Sequence, residues 1–289
     1  MLTLWGNVLA SGILMGLVYG IIALGLTIIF GVIRIVNFAH GAMVVFGLYV
    51  GYCAGAWWGI PTIVAAVSAG ALLFVFGYGL ETSVVKRFVT RPHHIQFILF
   101  IGISLVLSGA QLITFGPDPR PSVSHLSFET IALGPIRLDL ARLQAATVAA
   151  VMILALAAFL KYSTFGRFIR AAADNRLGGL MVGLPIPKIY AMTFGIGAAC
   201  AGVAGALISP LFDAQPFLAV DFTLLAFVTV IVGGLGSFVG ALVGGLTIGL
   251  TEAVAALLFA PSLKSALSYG LLMIVLIVRP RGFFGAKET

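Results

Sequence analysis

The chain has 289 residues, 61% of them hydrophobic and only 9% charged, with a mean hydropathy of +1.17, against roughly 25% charged residues in a soluble domain. That composition excludes a soluble enzyme and gives a polytopic membrane protein, read as an all-α helical bundle. Sixteen Lys plus Arg against nine Asp plus Glu leave +7, but the excess is divided among short loops, which marks membrane orientation and not a nucleic-acid surface.

No Lys or Arg precedes Arg34, so the start lacks the basic region of a cleavable signal peptide and the first apolar run, residues 8–30, is read as a span. Gly12, Gly16 and Gly20 share one face of it, a ladder that lets another helix approach backbone to backbone. The linker 31–41, GVIRIVNFAHG, is barely polar and fits either a tight cytoplasmic turn or a helix broken within the membrane. Asn37 can cap the second span, at residues 42–59, and His40 is a helix-start residue beside it. That span carries a second ladder at Gly47, Gly51, Gly55 and Gly59, and Pro61 opens the third, 62–80.

Lys86, Arg87, Arg91, His93 and His94 then form a positive-inside signal. The fourth span, 95–115, sets Ser104, Ser108 and Gln111 on one helical face, where they either line a pathway or bond neighbouring helices. The loop 116–144 has balanced charge and belongs outside; within it, 130–140 fits a hairpin around Gly134 and Pro135. The fifth span, 145–160, returns to a basic stretch at 161–188 that holds Lys161, Arg167, Arg170, Arg176 and Lys188 and is placed in the cytoplasm. There Phe165, Phe168, Ile169 and Ala172 share one helical face and Arg167, Arg170 and Asp174 the other. Gly178 and Gly179 are read as breaking this surface helix, and Gly183, Pro185 and Pro187 as delaying the next.

The sixth span is 189–209, and the loop 211–221, with Asp213 and Asp221 but no Lys or Arg, belongs outside. From Phe222 an apolar run reaches GGLGS at 233–237, only about 18 Å of helix against a hydrocarbon core of about 30 Å. It is read as a half-helix or a short buried span. A further run follows with Gly236, Gly240 and Gly244 laddered, and the last span, 265–278, leads to Arg279, Arg281 and Lys287, which puts the carboxyl terminus in the cytoplasm. Eight or nine crossings result.

Nucleotide-binding, zinc-protease and serine-hydrolase motifs are absent from the sequence, as is any clustered His or Cys, so no catalytic or metal residue is assigned and the chain is read as no enzyme. Cys53 and Cys200 lie in apolar runs as small core residues. Glu252 shares a face with Gly245 and Gly249; it either points into the bundle with a partner or task, or sits hydrated near the outer interface. Phe38 to Ala42 and Phe238 to Ala241 each open a glycine ladder after an interruption, a pattern that fits discontinuous helices and an internal repeat.

Several stretches resemble the permease subunits of branched-chain amino-acid ABC importers of the high-affinity leucine/isoleucine/valine type. They are GLVYGIIALGLTIIFGVIRIVNFAHGAMVVFGLYVG at 16–51, GRFIRAAADNRLGGLMVGLPIPKIYAMTFGIGAACAGVAGALISP at 166–210, VIVGGLGSFVGALVGGLTIGLTEA at 230–253, and the tail RPRGFFG at 279–285. The resemblance implies one transmembrane domain over 1–289 in the inner membrane, half of a heterodimer with a second related permease, joined by two cytoplasmic ATPases and an extracytoplasmic binding protein. No cofactor is then bound by this chain, and ATP and Mg are used by the ATPase subunits. The resemblance further implies that Arg167, Arg170, Ala171, Asp174, Asn175 and Gly183 belong to the coupling loop that docks on the ATPase, with Ala171, Ala172 and Ala173 where other importer classes carry a glutamate. Asn37, His40, Ser104, Ser108, Gln111 and Glu252 are the candidates for the translocation path. An alternative is a secondary transporter or channel without ATPases, using Glu252 as its proton or ion site. For the basic helix, the alternative is a surface helix resting on anionic lipid.

Overall fold

The structure, a computed structural model, describes residues 1–122, 129–134, 136–259 and 261–285. Pro135 of the expected hairpin and Lys287 of the basic tail lie outside the described residues. The order is α1 (Leu2–Ile33), α2 (His40–Trp58), α3 (Thr62–Ser83), α4 (His93–Phe115), β1 (Thr130–Leu133), β2 (Ile136–Asp139), α5 (Leu140–Tyr162), α6 (Thr164–Asp174), α7 (Arg176–Met181), α8 (Ile186–Ile208), α9 (Leu218–Gly233), α10 (Phe238–Leu258) and α11 (Lys264–Val278). Among the described residues seven helices are long and apolar enough to cross a membrane, and α9 and α11 are shorter apolar helices. The count is roughly consistent with the eight or nine crossings expected.

Helices α1 and α5 extend past the apolar runs read from the sequence, and the added ends find partners in the hairpin. At the start of α1, Asn7 Oδ1 accepts the N–H of Arg137 from β2 at 2.9 Å, fastening the hairpin. That hairpin pairs Thr130 with Asp139 and Leu133 with Ile136. Asp139 then caps α5 by accepting the N–H groups of Ala141 and Arg142. One end of the bundle thus carries the hairpin; the other, the basic end, carries Lys86, Arg87 and the α6–α7 segment.

Helices α1 and α8 form the centre. In α8, 83% of the apolar stretch is buried within the chain, against 11% in α4. The glycine ladders make the central contacts: a Cβ on Gly16 would stand 2.8 Å from Leu246 Cα, one on Gly12 would stand 2.9 Å from Ala253 Cβ, and one on Gly249 would stand 2.5 Å from Gly12 O. Gly20 faces Leu242 on the same seam. Gly47 meets the carbonyl of Gly202 and Gly51 meets Ser209, so α2 lies against α8 in the same way. At the basic end Gly240 abuts Gly233, Gly244 abuts the Thr229 carbonyl, and Gly236 lies beside Gly31. Cys53 and Cys200 are free, buried thiols.

The linker after α1 is the broken-helix alternative of the two. Arg34 turns left-handed with φ 62°, the chain doubles back, and His40 comes to rest beside Ile22, roughly 16 Å up α1 from Ile33 at 1.5 Å per residue. Helix α2 therefore starts inside the protein, with His40 and Asn37 both 0% exposed. Its first turn has no side-chain cap of its own: Asn37 Oδ1 takes the N–H of Ala39 instead, one residue ahead of the helix. The cap comes from α9, where Thr223 Oγ1 accepts the N–H of Gly41 at 3.1 Å. In a water-free interior that donor must find a protein partner.

Helix α9 has 16 residues, about 24 Å, longer than the apolar run alone implied. Its last carbonyls are satisfied by the tail, as Phe283 N–H donates to Val232 O and Phe284 N–H to Gly233 O.

A Gly16→Leu substitution is expected to force α1 from α10 and lower stability by about 1–3 kcal/mol, the usual cost of overpacking, read as a lower thermal midpoint of the detergent-purified protein. Gly102→Ala on α4, where a Cβ meets nothing within 4 Å, is expected to be neutral or stabilising by up to about 1 kcal/mol.

Candidate functional site

Glu252, Lys264, Arg142 and Asp221 gather at the hairpin end; another charged residue, Glu81 near the end of α3, is buried at 1% exposure. Helices α1 and α10 run antiparallel, and Cα–Cβ bonds tilt toward each helix's own N-terminus. The side chains of Tyr19 and Glu252 therefore lean toward each other across the seam, and the Tyr19 hydroxyl donates to Glu252 Oε2 at 2.8 Å. Two adjoining cavities open on this pair. The larger, about 360 Å³, is walled by α9 and α11 and holds Asp221. The smaller, about 270 Å³, reaches α5 and holds Arg142. Tyr19, Phe212, Glu252 and Lys264 border both. Lys264 Nζ lies 5.7 Å from the centroid of the Phe212 ring, and Arg142 Nε lies 3.8 Å from Asp139 Oδ2.

The other polar residues singled out as path candidates lie elsewhere. His40 Nε2 is 2.9 Å from the Ile22 carbonyl, which can only accept, so Nε2 carries the proton and Nδ1 is left without a partner among the described residues. Gln111 Nε2 donates to the Ala42 carbonyl at 3.0 Å and joins α4 to the first turn of α2. Ser104 and Ser108 are half-buried on α4. So Asn37, His40 and Gln111 converge on the start of α2, and Glu252 faces a separate chamber. The starts of α2 and α10 also lie at different levels, beside Ile22 and Gly31 respectively.

At the basic end Ser163 caps α6 through the Gly166 N–H at 2.8 Å. Gly166, Ile169 and Ala172 are buried, and Arg167, Arg170, Ala171 and Asp174 are exposed, with Phe165 and Phe168 half-buried. Arg170 donates to the Lys161 carbonyl at 3.2 Å. The helix does not break at Gly178 and Gly179. It breaks at Asn175, whose extended backbone ends α6 and whose Oδ1 accepts the Gly178 N–H to start α7. An Asn cap outcompetes glycine here because it supplies a hydrogen bond where glycine only removes a restraint. Gly183, with φ 76°, makes the exit, and Pro187 sits inside the first turn of α8, where a missing N–H costs nothing. The α7 turn projects Leu177, Met181 and Val182, 72%, 89% and 78% exposed.

Glu252 was visible in the sequence as a carboxylate at membrane depth. Tyr19, Asp221, Arg142 and Lys264 were not, because they lie on four different helices and only packing brings them to one chamber. The exposed apolar residues of α7 carried a signal that composition hides, since they look like core in a chain so rich in them.

The sequence model of the family described as branched-chain amino acid transport system / permease component matches residues 8–276. The high-affinity branched-chain amino acid transport system permease protein LivH of Salmonella typhimurium is 32% identical over 295 residues, covering 96% of this chain and 95% of that protein. BraD of Pseudomonas aeruginosa, described in the same words, is 29% identical over 294 residues, covering 97% and 96%. Among solved structures, PsaBC from Streptococcus pneumoniae in complex with Fab shares the fold with a TM-score of 0.51 at 12% identity, covering 95% of this chain and 93% of that one.

Replacing Tyr19 by Phe is expected to remove the hydrogen bond across the α1–α10 seam and cost about 1–2 kcal/mol. A lowered thermal midpoint of the purified protein, with the helix content unchanged by circular dichroism, is the measurement.

Proposed function

The chain belongs to the permease-component family of branched-chain amino acid transport systems, a multi-pass membrane protein, and from that premise we propose that it is one transmembrane subunit of an ATP-driven importer. In this reading it lies in the inner membrane with its carboxyl terminus in the cytoplasm. It pairs with a second related permease, receives branched-chain or related amino acids from an extracytoplasmic binding protein, and docks two cytoplasmic ATPases that use ATP and Mg. The observation that carries the reading is a family match that runs through nearly every span and includes the α6–α7 segment.

The coupling role of that segment has physical support. Exposed Leu177, Met181 and Val182 form an apolar knob flanked by Arg167, Arg170 and Arg176. Apolar anchors beside Arg, projecting from the bundle, are the composition of a docking surface. The base of the segment is rigid: the buried face of α6 packs on α1, α5 and α8, so a push on α7 is passed to the central helices. Closure of the ATPases would then rock the glycine-seamed helices against one another.

Met181→Asp together with Leu177→Asp is expected to remove hot-spot anchors worth about 2 kcal/mol or more, so that the ATPase no longer copurifies and ATP-dependent uptake into proteoliposomes falls at least about tenfold. Uptake that persisted without any ATPase would overturn the ATP-driven reading in favour of a secondary transporter. An ATPase held as tightly by the double variant as by the natural chain would overturn the docking role.

A further inference from the structure

We propose that the chamber around Glu252 is a weak binding station for a zwitterionic, aliphatic α-amino acid, its ammonium received by Glu252 and its carboxylate by Lys264. The inference rests on the importer reading and assigns that route a substrate-contacting site.

The geometry comes first. The two cavities, about 360 and 270 Å³, adjoin along Tyr19, Phe212, Glu252 and Lys264, and the larger falls within the roughly 300–1,000 Å³ usual for small-molecule sites. It lies on the seam between α1 and α10, the helices whose glycines bring their backbones together.

The charges come second. Glu252 and Lys264 border the same space, yet among the described residues they form no ion pair within 4 Å. Glu252 receives the Tyr19 hydroxyl on Oε2, and a carboxylate has about four acceptor sites, so capacity remains for an ammonium. Lys264 Nζ lies over the Phe212 ring and interacts electrostatically with Glu252 across the space, without direct ion-pair contact. Arg142 is already beside Asp139 and is left as a charge at the rim. A carboxylate and an ammonium that border one space without direct contact match a ligand that carries both signs and can bridge them; a ligand lacking either sign leaves one group without a charged partner, which is the expensive outcome.

The apolar wall comes third. Leu218, Phe222, Leu225 and Val228 line the larger cavity from α9, a surface suited to a branched hydrocarbon side chain and hostile to a polar one. The same charges without that wall would select no side chain at all.

A purely structural role for Glu252 makes a different prediction. A glutamine keeps the acceptor for Tyr19, so Glu252→Gln preserves the seam and removes only the charge. The experiment is L-leucine uptake by the reconstituted transporter with its ATPases and saturating binding protein, comparing the natural chain, Glu252→Gln, Glu252→Asp and Lys264→Gln, with thermal midpoints and binding-protein-stimulated ATP hydrolysis measured in parallel. The expected result is at least a tenfold loss of uptake in the two glutamine variants with midpoints unchanged and ATP hydrolysis continuing, and partial recovery in Glu252→Asp. Uptake by both glutamine variants at the natural rate would overturn the station and leave the importer reading standing. Absence of ATP-dependent uptake by the natural chain would overturn the importer reading and, with it, the station.

Discussion

Direct contact between helix backbones is the constraint on which the rest of this structure depends. In hydrocarbon, apolar side chains gain nothing by leaving lipid for one another, so helices associate where small residues allow dispersion contact over a long seam. Helix α1 is such a seam on two sides: Gly12, Gly16 and Gly20 receive α10, and Gly25 receives Gly197 of α8, whose carbonyl a Cβ on Gly25 would meet at 2.6 Å. Because both partners lie on one helix, a displacement of α1 moves both interfaces. That makes α1 the natural shaft for any rocking motion in the bundle.

The seams also explain where the polar groups went. A helix that starts within the bundle has N–H groups that water cannot reach. The chain satisfies the exposed donor of Gly41 with Thr223 from α9 and pins the preceding turn with Asn37. Those residues, with Gln111 on the carbonyl of Ala42, are used in holding α2 in place. Glu252 is different: it borders space as well as a partner, and it brings with it Lys264 and Asp221 from neighbouring helices. The polar residues at the start of α2 are thus buried and bonded, whereas Glu252 and Lys264 are half-buried on open space at the hairpin end, and Glu81 of α3 is buried apart from both.

The two ends are suited to opposite tasks. At the hairpin end, charges of both signs line two adjoining cavities. At the basic end, α6 and α7 turn cations and apolar side chains outward, away from the bundle. Helix α6 is fastened to α5 by Ser163 and by Arg170 on the Lys161 carbonyl, so force applied to α7 reaches α5 and α1 through short, rigid links.

The sequence by itself determined the class of the molecule, because hydropathy, glycine spacing and the placement of Lys and Arg are local properties that need no fold to be read. The ladders at Gly12 to Gly20 and Gly47 to Gly51, the amphipathic face of α6 and the isolated carboxylate of Glu252 were all legible in this way. It left open whether residues 31–41 turn outside the membrane or within it, since both conformations suit the same eleven residues. Only the tertiary structure decided that, through a threonine 182 residues away that caps Gly41. It also moved the break in the basic segment from Gly178 to Asn175, where a side-chain oxygen finds a donor that composition cannot reveal. The chamber is likewise a tertiary fact: Tyr19 and Glu252 stand 233 residues apart, and it is the antiparallel approach of two glycine faces, with side chains tilted toward each helix's own start, that makes them neighbours.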